Sequence, residues 1–294
     1  MSEHTTTTES TAPPSPGELL AIAEAAALAA GELLLTGRPA DLKVAATKSS
    51  SVDVVTEMDV AAERLIVSTI RDRRPHDRIL GEEGTSGQAA AGAADSPVRW
   101  VVDPLDGTVN YLYGRPTWAV SIGVEVEGVT VAGVVRVPAR DETFTAVLGG
   151  GARLGGAPIS LGVAPPLGEA LVGTGFGYLR HRRTHQAAVL AQLIPGLRDV
   201  RREGAAAVDL CDLACGRLDG FYERGLQPWD FAAGALIARE AGAVVTGHRS
   251  PEPSTEFLVA AAPELHGWLS ARLDELGAWH DGDTEAPGSA ADRG

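Results

Sequence analysis

The sequence predicts a mixed α/β fold of the α+β kind, in which helices and an antiparallel sheet come first and strands alternating with helices follow. Three observations carry this. Residues 117–147 alternate apolar and polar with period two and are interrupted by Glu127-Gly128, a hairpin signal. Beyond about residue 161, short apolar runs alternate with helical stretches. Ahead of both, an Ala- and Leu-rich segment carries a complete helix-start signal, Ser15-Pro16-Gly17-Glu18. With 294 residues, 44% of them hydrophobic, the chain can bury an ample core. Residues 15–160 read as an N-terminal α+β part with the antiparallel sheet, and residues 161–280 as a C-terminal α/β part. Residues 1–14 and 281–294 read as disordered tails with too little apolar surface to order themselves.

The first helix runs to about Thr36 and is closed by Gly37. It is apolar on more than one side, so it should be well buried, or partly buried at a subunit contact. Lys48-Ser49-Ser50-Ser51 is a polar loop, and residues 52–55 alternate like a strand. Asp59 opens a helix to about Arg73, with Ala62, Leu65, Ile66, Thr69 and Ile70 on one face, and Pro75 ends it. Arg78-Ile79-Leu80 is a short strand ending in Gly81-Glu82-Glu83-Gly84, and residues 88–96 are Ala/Gly-rich and expected to be mobile. Val98 to Val102 reads as a buried strand that stops at Asp103-Pro104, because proline cannot donate to a sheet ladder. Asp106-Gly107-Thr108 then starts a helix, with Asp106 near its cap. Strands are expected over 119–126, 129–135 and 144–148, then over 170–174, 218–222, 243–246 and 257–261. Helices are expected over 184–193, 205–215, from Asp230 to 241, and over 263–276.

Composition excludes several function classes. The formal charge of −14 argues against bulk attraction to a nucleic-acid backbone, so any phosphate handled here needs cations to mask repulsion. Cys211 and Cys215 are the only cysteines and read as small core residues, which rules out a disulfide framework and fits a reducing cytoplasm. No apolar run is expected to reach membrane-spanning length, and no basic-then-apolar leader is seen.

The acids give the chemistry. Asp59, Glu82, Glu83, Asp103, Asp106, Glu223 and Asp230 each sit where a strand or loop meets a helix or turn. Singly, each reads as a helix cap or a solvated turn. Together they can converge into a carboxylate cluster that divalent ions would neutralise, and two such ions roughly 3.5–4 Å apart can clamp the attacking and leaving oxygens of a phosphoryl group.

Gly81-Glu82-Glu83, the run from Trp100 to Asn110, and Trp229-Asp230-Phe231-Ala232-Ala233-Gly234 with Glu240-Ala241-Gly242 resemble the inositol monophosphatase family in order and spacing. So does Asp53-Val54-Val55-Thr56 with Asp59, and the resemblance covers about residues 15–276. The stretches 173–178 and 216–223 are similar to its bacterial SuhB-type branch. The resemblance implies a layered αβαβα sandwich, usually a homodimer, hydrolysing phosphate monoesters with two or three Mg2+ and often inhibited by lithium. It implies that Glu82, Asp103 and the Leu105 carbonyl hold one Mg2+, that Asp103, Asp106 and Asp230 hold a second, and that Glu82 faces a third. Thr108, paired with Asp59, would orient the attacking water, and Glu83 would tune the site. Asp106, Gly107 and Thr108 would line the phosphate site, Glu223 would contact sugar hydroxyls, and the Gly204-Ala205-Ala206 turn would line the substrate pocket. Alanine stands at 205 where many relatives have serine, which weakens any inference about the sugar.

The resemblance implies a small phosphorylated polyol or a related monoester as substrate. Inositol-1-phosphate leads, and histidinol phosphate, a fructose bisphosphate or an adenosine 3′,5′-bisphosphate would use the same metal residues. A reading of another class is a binding protein of the transcription machinery.

Overall fold

The computed structural model describes residues 14–39, 44, 46–47, 54–84 and 96–281. The expected tails (save Pro14 and Asp281), the Lys48 loop, Asp53 and the stretch 88–95 lie outside the described residues.

The first helix, α1 (Pro16–Gly37), begins where the sequence places it. Ser15 N–H donates to the Glu18 carboxylate at 2.8 Å and Glu18 N–H donates to the Ser15 hydroxyl at 3.3 Å, a complete capping box. By length and composition α1 is apolar enough to cross a membrane, which corrects the expectation that no run reaches that length. Its apolar side has another use. Leu19, Ala23, Ala26, Ala27, Ala30 and Leu34 are buried against a sheet, as in the core helix of a globular domain. A short antiparallel pair, β1 (Ala46–Thr47) and β2 (Val54–Val55), leads to α2 (Glu57–Arg73).

Among the described residues a seven-stranded sheet follows, in sequence order from β3 to β9. Its members are β3 (Arg78–Gly81), β4 (Val98–Asp106), β5 (Ala119–Val126), β6 (Val129–Val137), β7 (Glu142–Val147), β8 (Gly151–Leu154) and β9 (Ala157–Ile159). All neighbours are antiparallel except β3 with β4. Glu127 and Gly128, with φ of 52° and 84°, supply the two left-handed positions of the tight β5–β6 turn. The short α3 (Thr108–Leu112) leaves the end of β4.

The second sheet has the order β11-β10-β12-β14-β13. It is built from β10 (Leu171–Thr174), β11 (Asp199–Arg201), β12 (Gly220–Glu223), β13 (Val244–Thr246) and β14 (Leu258–Ala261). Its helices are α4 (Arg180–Leu193), α5 (Ala206–Ala214), α6 (Pro228–Glu240) and α7 (Pro263–Glu275). The strand β11 was not expected; three residues beside a 3₁₀ turn carry too little periodicity to be read.

Alternation along the strands assembles the layers. Val98, Trp100, Val102, Val120, Ile122 and Val124 face α1 and α2, whereas Ala119, Val135, Val137, Phe144 and Ala146 face α5 and α6. Phe221, Val245, Leu258 and Ala260 face α5 and α6 from the second sheet, and Val172, Tyr222, Val259 and Ala261 face α4 and α7. The result is the αβαβα sandwich that the resemblance implies.

One expectation for the central strand is corrected. β4 does not stop at Pro104 but continues to Asp106. Its pairing with β5 skips from Asp103↔Ser121 to Asp106↔Ala119, a bulge that leaves Pro104 without a ladder partner. Its other edge is already free there, because β3 ends at Gly81, opposite Val102. Asp106 lies near the cap of α3 as expected, beside the cap position Gly107 at φ 87°.

Helix α6 lies unusually close to its neighbours. A Cβ on Gly133 would meet the Ala233 Cα and carbonyl oxygen at 3.1 Å, and one on Gly123 would meet the Ala232 Cβ at 2.9 Å. On the opposite side of the helix, a Cβ on Gly234 would meet the Leu210 Cβ at 2.9 Å. Backbone-to-backbone contact with no yielding side chain means that Gly133→Val should destabilise the fold by about 1–3 kcal/mol. Thermal melting checks this, and the expected drop is about 2–4 °C per kcal/mol for a chain of this order.

Candidate active site

The acids singled out by the sequence come together at the C-terminal end of β4. Asp103, Leu105 and Asp106 lie on its last turn. Glu82 is the residue after β3, and its N–H donates to the Val102 carbonyl at 3.3 Å, which sets it beside Asp103. Asp230 enters from the first turn of α6, Glu223 from the end of β12, and Asp59 from the first turn of α2. Ser121 on β5 donates to the Trp229 carbonyl at 3.3 Å and ties the start of α6 to the sheet.

Each carboxylate is oriented by local bonds. The bulge lets Asp103 Oδ1 accept the Leu105 N–H at 2.9 Å. Asp59 is not the helix cap the sequence suggested. Thr56 holds that position, and Asp59 is its capping-box partner, with Oδ2 accepting the Thr56 N–H at 2.9 Å. That leaves Asp59 Oδ1 to accept from the Thr108 hydroxyl at 2.9 Å. The same hydroxyl lies 3.0 Å from the Leu105 carbonyl, and its single proton serves one acceptor at a time. Asp230 repeats the device: it accepts the Gln227 N–H at 2.7 Å within a capping box. Asp106 caps a different helix. Its Oδ2 accepts the Ala207 N–H at 2.8 Å, across 101 residues, at the start of α5. Ala205, the residue at that helix's own cap position, makes no side-chain cap bond.

Glycines make the close approaches. Gly107 has φ 87°, and a Cβ there would meet the Thr117 carbonyl at 2.9 Å and the Ala205 methyl at 3.1 Å. A Cβ on Gly175 would overlap the Glu223 carboxyl group at 1.9 Å, so Gly175 opens the space that Glu223 fills.

Burial is the dominant electrostatic effect. It raises the proton affinity of Asp103 well above the ordinary carboxylate range, with Glu82, Asp106 and Asp230 adding repulsion. Asp230 is raised well above that range by burial and by Asp106 and Glu82, against its bond from Gln227. Asp106 is raised to about 7 by burial, with the Ala207 N–H pulling it down and Glu223 and Glu82 pushing it up. Glu223 is raised to about 8 by burial and the Asp230 charge, and Arg202 moderates this. Asp59 is raised by burial despite its three hydrogen bonds.

This donor set fits a hard cation. Every donor is an oxygen, carboxylate or carbonyl, with no thiolate or imidazole among them. Among the described residues no three acidic, His or Cys side chains are already placed to hold a metal ion together. Glu82, Asp106 and Asp230 lie close enough to Asp103 to raise its proton affinity, and a proton or a cation relieves that repulsion.

Glu82, Asp103, Leu105, Asp106, Thr108, Asp59, Asp230 and Glu223 therefore lie at one site. Glu83 is next to it, half-buried, with its backbone N–H donated to Glu63 Oε2 at 2.6 Å. The Gly204-Ala205-Ala206 turn joins it through Asp106 and through Asn110, whose side-chain amide donates to the Thr117 and Glu203 carbonyls at 2.7 and 2.8 Å. Three residues escaped the sequence reading. Asn110 was quoted only as part of a motif. Glu63 and Asp209 are buried acids inside helices, and Asp209 Oδ1 has no hydrogen-bond partner. The available signal was an acid interrupting an apolar helical face, at i+4 from Asp59 for Glu63.

The model of the inositol monophosphatase family matches residues 15–278. The inositol-1-monophosphatase SuhB of Mycobacterium tuberculosis is 46% identical over 234 residues, covering 78% of this chain and 81% of the relative. A solved structure of Mycobacterium tuberculosis SuhB superposes with a TM-score of 0.77 at 42% identity, over 91% of this chain and all of that one. The Nus factor SuhB of Escherichia coli is 42% identical over 264 residues, 88% of this chain and 97% of the relative. An inositol monophosphate-bound SaIMPase-II superposes with a TM-score of 0.72 at 26% identity, over 90% and 95% of the two chains.

The site's electrostatics give a test that uses no relative. Carboxylates with raised proton affinity bind protons more tightly folded than unfolded, so their contribution favours folding at low pH. It is lost as pH climbs from the ordinary carboxylate range through about 7 for Asp106 and about 8 for Glu223. In chelator, the melting temperature should fall between about pH 5 and about pH 8, and Mg2+ should raise it more at the higher pH. Equal Mg2+ shifts at both pH values would contradict the cluster as the cation site.

Proposed function

The chain belongs to the inositol monophosphatase family, and from that premise we propose that it is a Mg2+-dependent phosphatase that hydrolyses inositol-1-phosphate to inositol and phosphate. One observation carries the reading: the Glu82, Asp103, Asp106 and Asp230 carboxylates and the Leu105 carbonyl converge beside a Thr108–Asp59 pair. Glu82, Asp103 and Leu105 would hold one Mg2+, Asp103, Asp106 and Asp230 a second, and Glu82 would face a third. Bound there, Mg2+ lowers the pKa of a coordinated water and stabilises the leaving oxygen.

The chain's own groups do the rest. Donating its proton to Asp59, the Thr108 hydroxyl presents its lone pairs to the attacking water and orients it. Helix α3 has five residues, so what it offers a phosphate is the backbone N–H groups of Gly107 and Thr108 rather than a long helix dipole. Attack in line with the leaving oxygen needs no covalent phosphoenzyme. Glu223, whose carboxyl burial and the Asp230 charge push up to about 8, faces the site with oxygens that can accept from polyol hydroxyls. A bound inositol phosphate in SaIMPase-II supports a phosphorylated polyol as the substrate class. We also propose a homodimer acting in the cytoplasm, on the family resemblance and on cysteines that are free thiols. The likeness to a relative named Nus factor favours a second role, binding within the transcription machinery; retention of polymerase on the immobilised protein tests it.

Phosphate release from inositol-1-phosphate, histidinol phosphate, fructose-1,6-bisphosphate and adenosine 3′,5′-bisphosphate tests the substrate, and the expected preference is for the first. Asp103→Asn should lower kcat by about 10²–10³-fold or more with the melting profile kept, since it removes a ligand shared by both ions. Near-normal turnover would refute the assignment. Glu223→Gln should alter KM ratios among the esters while leaving the Mg2+ requirement in place; an unchanged substrate profile would count against its polyol role.

A further inference from the structure

Glu63 is a fully buried carboxylate for which the proposed chemistry has no use. It lies on α2 one turn beyond Asp59, so the two side chains share a helix face, and it is 0% exposed. A carboxylate is costly in such a place unless it is bonded. Its Oε2 accepts the Glu83 N–H at 2.6 Å. A Cβ on Gly81 would meet its two carboxylate oxygens at 2.7 and 3.1 Å, so the group lies flat against the backbone on that side as well. The carboxylate therefore spans the chain on both sides of Glu82.

The opposite edge of the same segment is held by the sheet. Gly81 pairs with Val102, and the Glu82 N–H donates to the Val102 carbonyl at 3.3 Å. The N–H of residue 82 is thus fixed by β4 and the N–H of residue 83 by Glu63. Fixing the two peptide planes that flank a Cα fixes the direction of its Cβ. For Glu82 that direction is toward Asp103, the residue after Val102.

We propose that Glu63 is a positioning residue for Glu82: its carboxylate locks the Gly81–Glu83 backbone so that the Glu82 carboxylate is held at the cation site. This rests on the metal-dependent phosphatase reading. Groups that orient a ligating carboxylate in this way are worth about 10–100-fold in metal affinity. Asp59 and Glu63 are then two successive arms of one helix, the first aiming Thr108 and the second aiming Glu82.

The experiment is a calorimetric Mg2+ titration of the full chain, with substrate KM at saturating Mg2+ as the second readout, on wild type, Glu63→Ala, Glu63→Gln and Gly81→Ala. Glu63→Ala should weaken Mg2+ binding about 10–100-fold while KM for substrate stays within about two-fold. Glu63→Gln keeps an acceptor oxygen and should recover most of the loss. Gly81→Ala displaces the carboxylate with Glu63 still present and should fall between them. A purely structural role would lower the melting temperature of Glu63→Ala without a selective loss of Mg2+ affinity and without rescue by Gln. Wild-type Mg2+ affinity in Glu63→Ala overturns the proposal, and if that variant does not fold, wild-type affinity in Gly81→Ala does so. A wild-type chain that binds no Mg2+ overturns the underlying reading first, and this inference with it.

Discussion

Carboxylates repel one another, and in a water-poor interior the repulsion is screened far less than at a surface. At the end of β4, Asp103 and Asp106 are buried with Asp230 and Glu82, both half-buried, beside them, and every resolved shift in proton affinity among the three aspartates is upward. The cluster is therefore a standing cost to the fold when it lacks a proton or a cation. Much of the architecture opposes that cost. Three main-chain N–H groups, of Leu105, Ala207 and Gln227, each point at one of these carboxylates. Each takes up part of the charge and holds one oxygen still, which leaves the other oxygen for a ligand.

The layers serve the same end. Carboxylates from four elements meet only if those elements stop at one level, and α6 has the least freedom among them. Glycines at 123 and 133 bring it down onto the seven-stranded sheet, and Gly234 admits α5 from the other side. A helix clamped on both faces has one translational setting along its axis, so Asp230 has one height above β4. Helix α2 is set by its apolar face against the same sheet, with Ala62, Ile66 and Ile70 in the core. On the same buried side Asp59 reaches the start of α3 and Glu63 the backbone after β3. Packing thus fixes the geometry of the carboxylate cluster from outside it, through small residues whose chemistry is inert.

The sequence disclosed the acids but not their partners, and the difference is physical. An acid at the end of a strand is visible because hydrophobic periodicity marks where the strand ends. Its hydrogen-bond partner is visible only when that partner is local. Asp59 and Asp230 were correctly placed at helix starts, although the cap residue in each case is three positions earlier. Asp106 was read as lying near the cap of its own helix, which it does, but its carboxylate caps α5 more than a hundred residues on; no local pattern encodes that. Pro104 was read as a strand end because proline breaks a ladder, and the bulge that exempts it depends on where β3 stops. Glu63 was passed over because one acid on an apolar stripe reads as a helix edge until the stripe is known to be buried all round.

The alanine at 205 acquires a meaning from the same partner rule. In the resemblance, the hydroxyl expected there could have bonded substrate or backbone. Here the first N–H groups of α5 are already served by Asp106, so the cap position needs no hydroxyl. Ala205 is 1% exposed, and its methyl is packed where a side chain on Gly107 would collide with it. The substitution thus lies between the Gly107 turn and the helix behind it. It leaves the cation ligands untouched and bears on how closely Gly107 approaches α5. A change of substrate among these enzymes by this route would come from the placement of the loop against the helix, with the carboxylate chemistry held constant.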